Sequence, residues 1–240
     1  MSPRGAGRRW AAIFALALLC AGCGGAVTQH AAHPNGVGVV DPGGVRILHQ
    51  VRTFLEAAPG VRVRMSTPGA TLAAASSAEA DLRTGDFRSV VHLGRGQGTF
   101  TLVKVSDLCW TKAPPAMWVK LGYTAASARR TVGKYVVAPV SGFSALLEAL
   151  DPLTVLSKIE ALGDDAVRGH SVVTAGPMRG QTAVRVHFPQ GDLTLFVTAA
   201  PETRLTMVRG TSSGRVVDYV VDGYPSVHVA VPDAADVLQP

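Results

Sequence analysis

Cysteine is scarce, three residues in 240, so a disulfide-stapled scaffold is excluded. Charged side chains make up 17% of the chain against 47% hydrophobic, which excludes a disordered polyelectrolyte. Glycine does not recur at every third position, so the chain is not collagen-like. The long apolar run, Trp10 to Leu19, falls short of the ~20 residues a membrane span needs. A multi-span membrane protein is excluded with it. What these absences leave is a globular chain of one or two domains with a sizeable core.

Motifs for chemistry are also missing. No Walker A sequence occurs, and the chain is expected to lack a nucleophile elbow. Gly94-Arg95-Gly96-Gln97-Gly98 resembles a glycine loop, but Phe100-Thr101-Leu102-Val103 after it reads as strand. A dinucleotide fingerprint needs a helix there, so a hairpin turn is the better reading. The seven histidines are scattered, with no metal-ligand spacing, and no metal or other cofactor is expected. Asp86, Asp107 and Asp192 suit Asx turns, and Asp164-Asp165 suits a solvated turn. No catalytic residue is assigned.

The N-terminus is more specific. Arg4, Arg8 and Arg9 precede the apolar run, and Ala21-Gly22 stands directly before Cys23. This is the layout of an export signal, and the small pair before cysteine resembles a bacterial lipobox. Residues 1–22 are therefore expected to be a lipoprotein signal peptide, with Cys23 acylated, although Cys20 stands where Leu is usual. Residues 23–44 read as a flexible tether and 45–240 as a single domain. Three arginines leave with the signal and no acid does, so the net charge of +6 falls to +3. That is no argument for nucleic acid, and no nucleic-acid partner is expected. With Cys23 lipidated, Cys109 has no disulfide partner and reads as a small buried hydrophobe.

Periodicity orders the rest. Val45, Leu48, Val51, Phe54 and Leu55 put one apolar stripe on a helix over 45–58. Strands follow at 61–65, 78–82, 87–93, 100–105, 108–111 and 117–120, with Phe100 and Leu102 on one face. A short helical turn at 125–130 and helices at 143–150 and 152–162 come next, the last started by Asp151-Pro152. Strands return at 172–173, 183–188, 193–197, 205–208, 216–221 and 227–231. This order predicts an α+β domain with antiparallel strands.

The lipobox, the first helix, the meander ending in Leu108-Cys109-Trp110 and the stretch Met117-Trp118-Val119-Lys120-Leu121 carry a resemblance. So do the helix start Asp151-Pro152-Leu153 and the strand Leu193 to Val197 followed by Pro201-Glu202-Thr203-Arg204-Leu205. Over about residues 45–232 the chain resembles actinobacterial lipoproteins of the LppX/LprG type, related in fold to the carrier LolA. Arg204 stands where that family usually has Gly.

The resemblance implies a strongly curved antiparallel sheet, a half-barrel, wrapped around helices. It also implies a lipid-anchored protein on the outer face of the cell membrane that binds or transfers lipids or other amphiphiles, without covalent chemistry. Its partners would be the membrane, a lipid or lipoglycan ligand and an envelope transport protein. A hydrophobic cavity of that kind would draw its walls from Leu48, Val51 and Leu55 of the first helix and Leu146, Leu147, Leu150, Leu153 and Leu156 of the helical insert. The sheet would add Phe100, Leu102, Trp110 and Trp118. Two other readings stay open: a structural or regulatory envelope module with a filled interior, and an extracytoplasmic hydrolase.

Overall fold

The first helix, α1 (Pro42–Ala57), begins where the chain supplies both start signals. Asp41 accepts a hydrogen bond from the Gly43 N–H at 2.8 Å, and Pro42 opens the first turn. Leu48, Val51 and Leu55 form its buried stripe. Gly44 lets it approach the sheet, since a Cβ there would collide with the Val167 side chain. A computed structural model describes residues 41–66, 76–93, 96–142, 147, 150–173, 180–188, 191–198, 202–212 and 215–238. The expected signal and most of the tether lie outside these residues.

Eleven strands follow: β1 (Gly60–Ser66), β2 (Ser76–Asp81), β3 (Phe87–Leu93), β4 (Gly98–Val105), β5 (Leu108–Lys112), β6 (Val136–Pro139), β7 (Val167–Val173), β8 (Gln181–Phe188), β9 (Gly191–Val197), β10 (Leu205–Ser212) and β11 (Arg215–Gly223). Between β5 and β6 lie α2 (Pro115–Lys120) and α3 (Ala125–Arg130), and α4 (Leu153–Glu160) precedes β7. All strands join one antiparallel sheet in the order β6-β5-β4-β3-β2-β1-β11-β10-β9-β8-β7. Two meanders are thus fused where the first strand pairs with the last.

The expected half-barrel is corrected. The sheet is open, with β6 and β7 at opposite ends, and it is not closed or strongly curled. At ~4.8 Å per strand, eleven strands form a wide ladder. The helices pack on it as parts of one core, to which α1, α2, α3 and α4 all contribute buried residues. Helix α1 lies against β7 and β8, while Ser89 of β3 donates to the Leu150 carbonyl at 2.7 Å. Arg52 ties α1 to the end of α4 through the carbonyls of Ile159 and Leu162.

Two more elements differ from the sequence reading. Residues 117–120 are helical, not a strand, because Pro115 opens α2 at its first turn. Residues 227–231 form no strand; the chain after β11 crosses Gly60 and ends beside Tyr135, whose N–H donates to the Asp236 carbonyl at 2.7 Å. The strand β6 is not legible in the sequence: its four residues alternate only weakly in burial. Of the expected helix at 143–150, Leu147 and Leu150 are helical and the others lie outside the described residues.

Register sorts the side chains onto two faces. Val61, Val63, Ala78, Ala80, Phe87, Ser89, Phe100, Leu102, Cys109 and Thr111 share the helix-covered face. Arg62, Arg64, Glu79, Arg88, Val103, Thr101, Trp110 and Lys112 share the other. On that second face Ala183, Phe196 and Met207 form a small apolar row beside Val220. Arg209 lies 5.9 Å from the Phe196 ring and makes two bonds to the nearly buried Asp218, at 2.7 and 2.8 Å.

Candidate functional site

Most of the residues expected to line a hollow meet in one buried cluster. Leu48, Val51, Leu55, Phe100, Leu102, Trp118, Leu147 and Leu156 are all buried members of the core beneath the sheet. Leu150 and Leu153 pack against it from positions half open to solvent. Leu146 lies outside the described residues. Trp110 is misplaced: its partner Val103 sets it on the opposite face from Phe100 and Leu102. The cause is the period of two. Trp110 pairs with Val103, one residue out of phase with Leu102.

Burial is graded at both ends of this core. At the α1 end Leu48, Val51 and Leu55 are at most 1% exposed, while Val45 and Ile47 are partly buried. At the β5–α2 end Leu102, Cys109 and Trp118 are fully buried, while Met117, Val136, Ala138 and Val140 are partly buried. At that end two polar atoms are buried without a hydrogen-bond partner among the described residues: the Trp118 Nε1–H and the Thr111 Oγ1. An unpaired buried donor costs about 1–3 kcal/mol. The Trp118 indole is held by Tyr123, whose ring meets it edge-on with centroids 5.0 Å apart. Sequence alone could not find Thr111, since a threonine in a strand reads as a surface residue.

Titratable groups around this end are shifted by burial. The Asp151 carboxyl is raised chiefly by desolvation, opposed by its bond from the Leu153 N–H at 2.8 Å. Burial pushes the Tyr123 hydroxyl up as well. Cys109, free and fully buried on the helix-covered face, has its thiol pushed to about 11 by desolvation. A thiol so protonated is inert at neutral pH. In the native protein Cys109 is expected to resist iodoacetamide at pH 8 and to react fully in urea, as read by peptide mass. Equal labelling in both conditions would contradict its burial.

Among the described residues no Ser-His-Asp arrangement or metal centre comes together. The sequence does hold one G-x-S-x-G spacing, Gly210 to Gly214, contrary to the expectation that it lacks an elbow pattern. Ser212 pairs with Arg215 across the β10–β11 hairpin, so no helix follows it. His49 meets Asp164 at 3.0 Å in the open, with both side chains more than half exposed. Among the described residues no three His, Cys, Asp or Glu side chains converge as a metal site. Among them, too, no helix is long and apolar enough to cross a membrane.

The fold is similar to three solved structures. One is LprF from Mycobacterium bovis, at 15% identity and a TM-score of 0.46, covering 82% of this chain and 99% of that one. The second is the Mycobacterium tuberculosis lipoprotein LppX, at 11% identity and a TM-score of 0.49, covering 79% and 100%. The third is an uncharacterized conserved protein from Thermus thermophilus, at 12% identity and a TM-score of 0.45, covering 81% and 98%. No family model and no curated protein matches the chain.

Proposed function

We propose that this protein is a lipid-anchored envelope lipoprotein that holds an amphiphile against the β5–α2 end of its core, beside Trp118. The observation that carries the reading is the pair of unpaired polar atoms, Trp118 Nε1 and Thr111 Oγ1, set among partly buried aliphatic side chains. Ligand sites for amphiphiles combine apolar walls with a few polar groups that fix orientation. Both atoms are enclosed in this structure; once the surrounding side chains part for a ligand, the indole N–H donates to its ester or hydroxyl oxygen and the threonine hydroxyl donates or accepts. Each buried CH₂ of an acyl chain contributes about 0.8 kcal/mol. Attachment is through acyl chains on Cys23, whose neighbours Ala21 and Gly22 fit the lipobox pattern. No covalent step belongs to this function.

A second reading has its own support. The near-complete burial of Leu48, Val51, Leu55, Phe100 and Leu102 suits a module whose interior is filled and whose role is structural or regulatory. Native mass spectrometry of the chain extracted from its own membrane separates the two. The expected spectrum shows a covalent acyl mass on the Cys23 peptide and a further mass that leaves on delipidation. A protein carrying the covalent mass alone would favour the filled module and sink the carrier reading. An unmodified Cys23 would remove the anchor.

A further inference from the structure

The face of the sheet away from the helices carries a groove of about 370 Å³ that the carrier reading does not use. Its floor is β4, through Thr99 and Thr101, with Arg88 of β3 on one side and Lys112 of β5 on the other. Ala113, Pro114 and Pro115 wall one end, and Val132, Gly133 and Tyr135 of the α3–β6 connection wall another.

Charge in the groove is of one sign. Two cations line it and no carboxylate does. Across the sheet Glu79 stands opposite Arg88 in register, and its ion pair is with Arg62 at 3.4 Å. Arg88 has no ion-pair or hydrogen-bond partner among the described residues. The Lys112 ammonium is positioned over the Tyr135 ring, 5.3 Å from its centroid. Arg88 faces Val103 and Lys112 faces Thr101, so two strand spacings and two residues of register separate their backbones, about 12 Å, a gap their long side chains can span from either side. Thr101, on the same face beside Lys112, adds a neutral hydroxyl, and Thr99 lies farther along the groove floor.

We propose that this groove binds a phosphate-bearing anion, its oxygens taken by the Arg88 guanidinium and the Lys112 ammonium. A guanidinium offers a planar fork that matches phosphate, and an ammonium adds a point charge on a partly apolar wall. The phosphate is that of a lipid headgroup or a free ion; the residues that recognise it are the same. The site stands apart from Trp118 on the opposite face, so it does not depend on the interior being a lipid site.

The test titrates the full-length chain with inorganic phosphate, and separately with dihexanoyl-phosphatidylglycerol and dihexanoyl-phosphatidylcholine, by calorimetry at low salt. Saturable phosphate binding is expected, weakened about tenfold or more by Arg88→Gln and again by Lys112→Gln, as loss of a charged hydrogen bond implies. Replacing the exposed Arg129 and Arg130 by Gln should leave it unchanged. Tighter binding of the glycerol lipid than of inorganic phosphate, lost in the same variants, assigns the headgroup; equal or weaker binding assigns the free ion. Circular dichroism confirms that the variants fold. If neither anion binds, or if Arg129 and Arg130 matter as much as Arg88 and Lys112, the proposal is overturned.

Discussion

Replacing Trp118 by Ala is expected to destabilise the protein by about 3–5 kcal/mol, the range for truncating a large aromatic in a core. The side chain is fully buried and stacks edge-on with Tyr123, so its loss opens a cavity next to α2 and β5. Trp118→Phe should behave differently. It keeps an aromatic edge against Tyr123 and removes a buried N–H that has no acceptor among the described residues. Relief of that unpaired donor offsets much of the lost volume, and a change of less than about 1.5 kcal/mol is expected. Urea denaturation of the two variants measures both. A Phe variant as unstable as the Ala variant would show that the N–H is paired in the native protein. The carrier reading adds a second readout: Trp118→Phe folds, yet retains less co-purified amphiphile.

Gly60→Ala is expected to lower the melting temperature by several degrees, through about 1–3 kcal/mol of overpacking. Gly60 opens β1 where the chain after β11 crosses it. A Cβ there would stand 2.7 Å from the Pro225 carbonyl oxygen, 2.8 Å from that of Ala80 and 2.9 Å from Val227. Two of these neighbours are backbone, so relief requires β2 or the crossing segment to move. Gly163→Ala provides the contrast. Its Cβ would meet only the Asp165 side chain, whose carboxylate can rotate away. Thermal melting of the pair should show a large drop at 60 and little at 163. Equal drops would mean that the crossing segment does not press on β1.

The first helix and most strands were legible because their periods are local. Leu48, Val51 and Leu55 repeat at helical spacing, and Val61, Val63 and Met65 alternate as a strand with one buried face. The helix start at Asp151-Pro152 was legible only to within a residue: Asp151 accepts from the Leu153 N–H, but α4 begins at Leu153, with Pro152 at the cap position. Residues 117–120 misled because a stretch as short as Met117-Trp118-Val119-Lys120 fits either period, and the proline before it decided for helix.

Sequence pattern by itself determined that this chain builds antiparallel strands and amphipathic helices, and that Cys23 sits in a lipobox-like setting. Those are properties of neighbours within a few residues. Tertiary structure decided the rest. Only strand register puts Trp110 on the face away from Leu102, and only the pairing of β1 with β11 joins the two meanders into one sheet, left open because its end strands β6 and β7 do not pair. Likewise Arg88 and Lys112 read in the sequence as two solvated charges 24 positions apart, and become walls of one groove only when β3, β4 and β5 align. Which face a strand presents, and what stands opposite it, depends on contacts between residues far apart in the chain, and no local period encodes them.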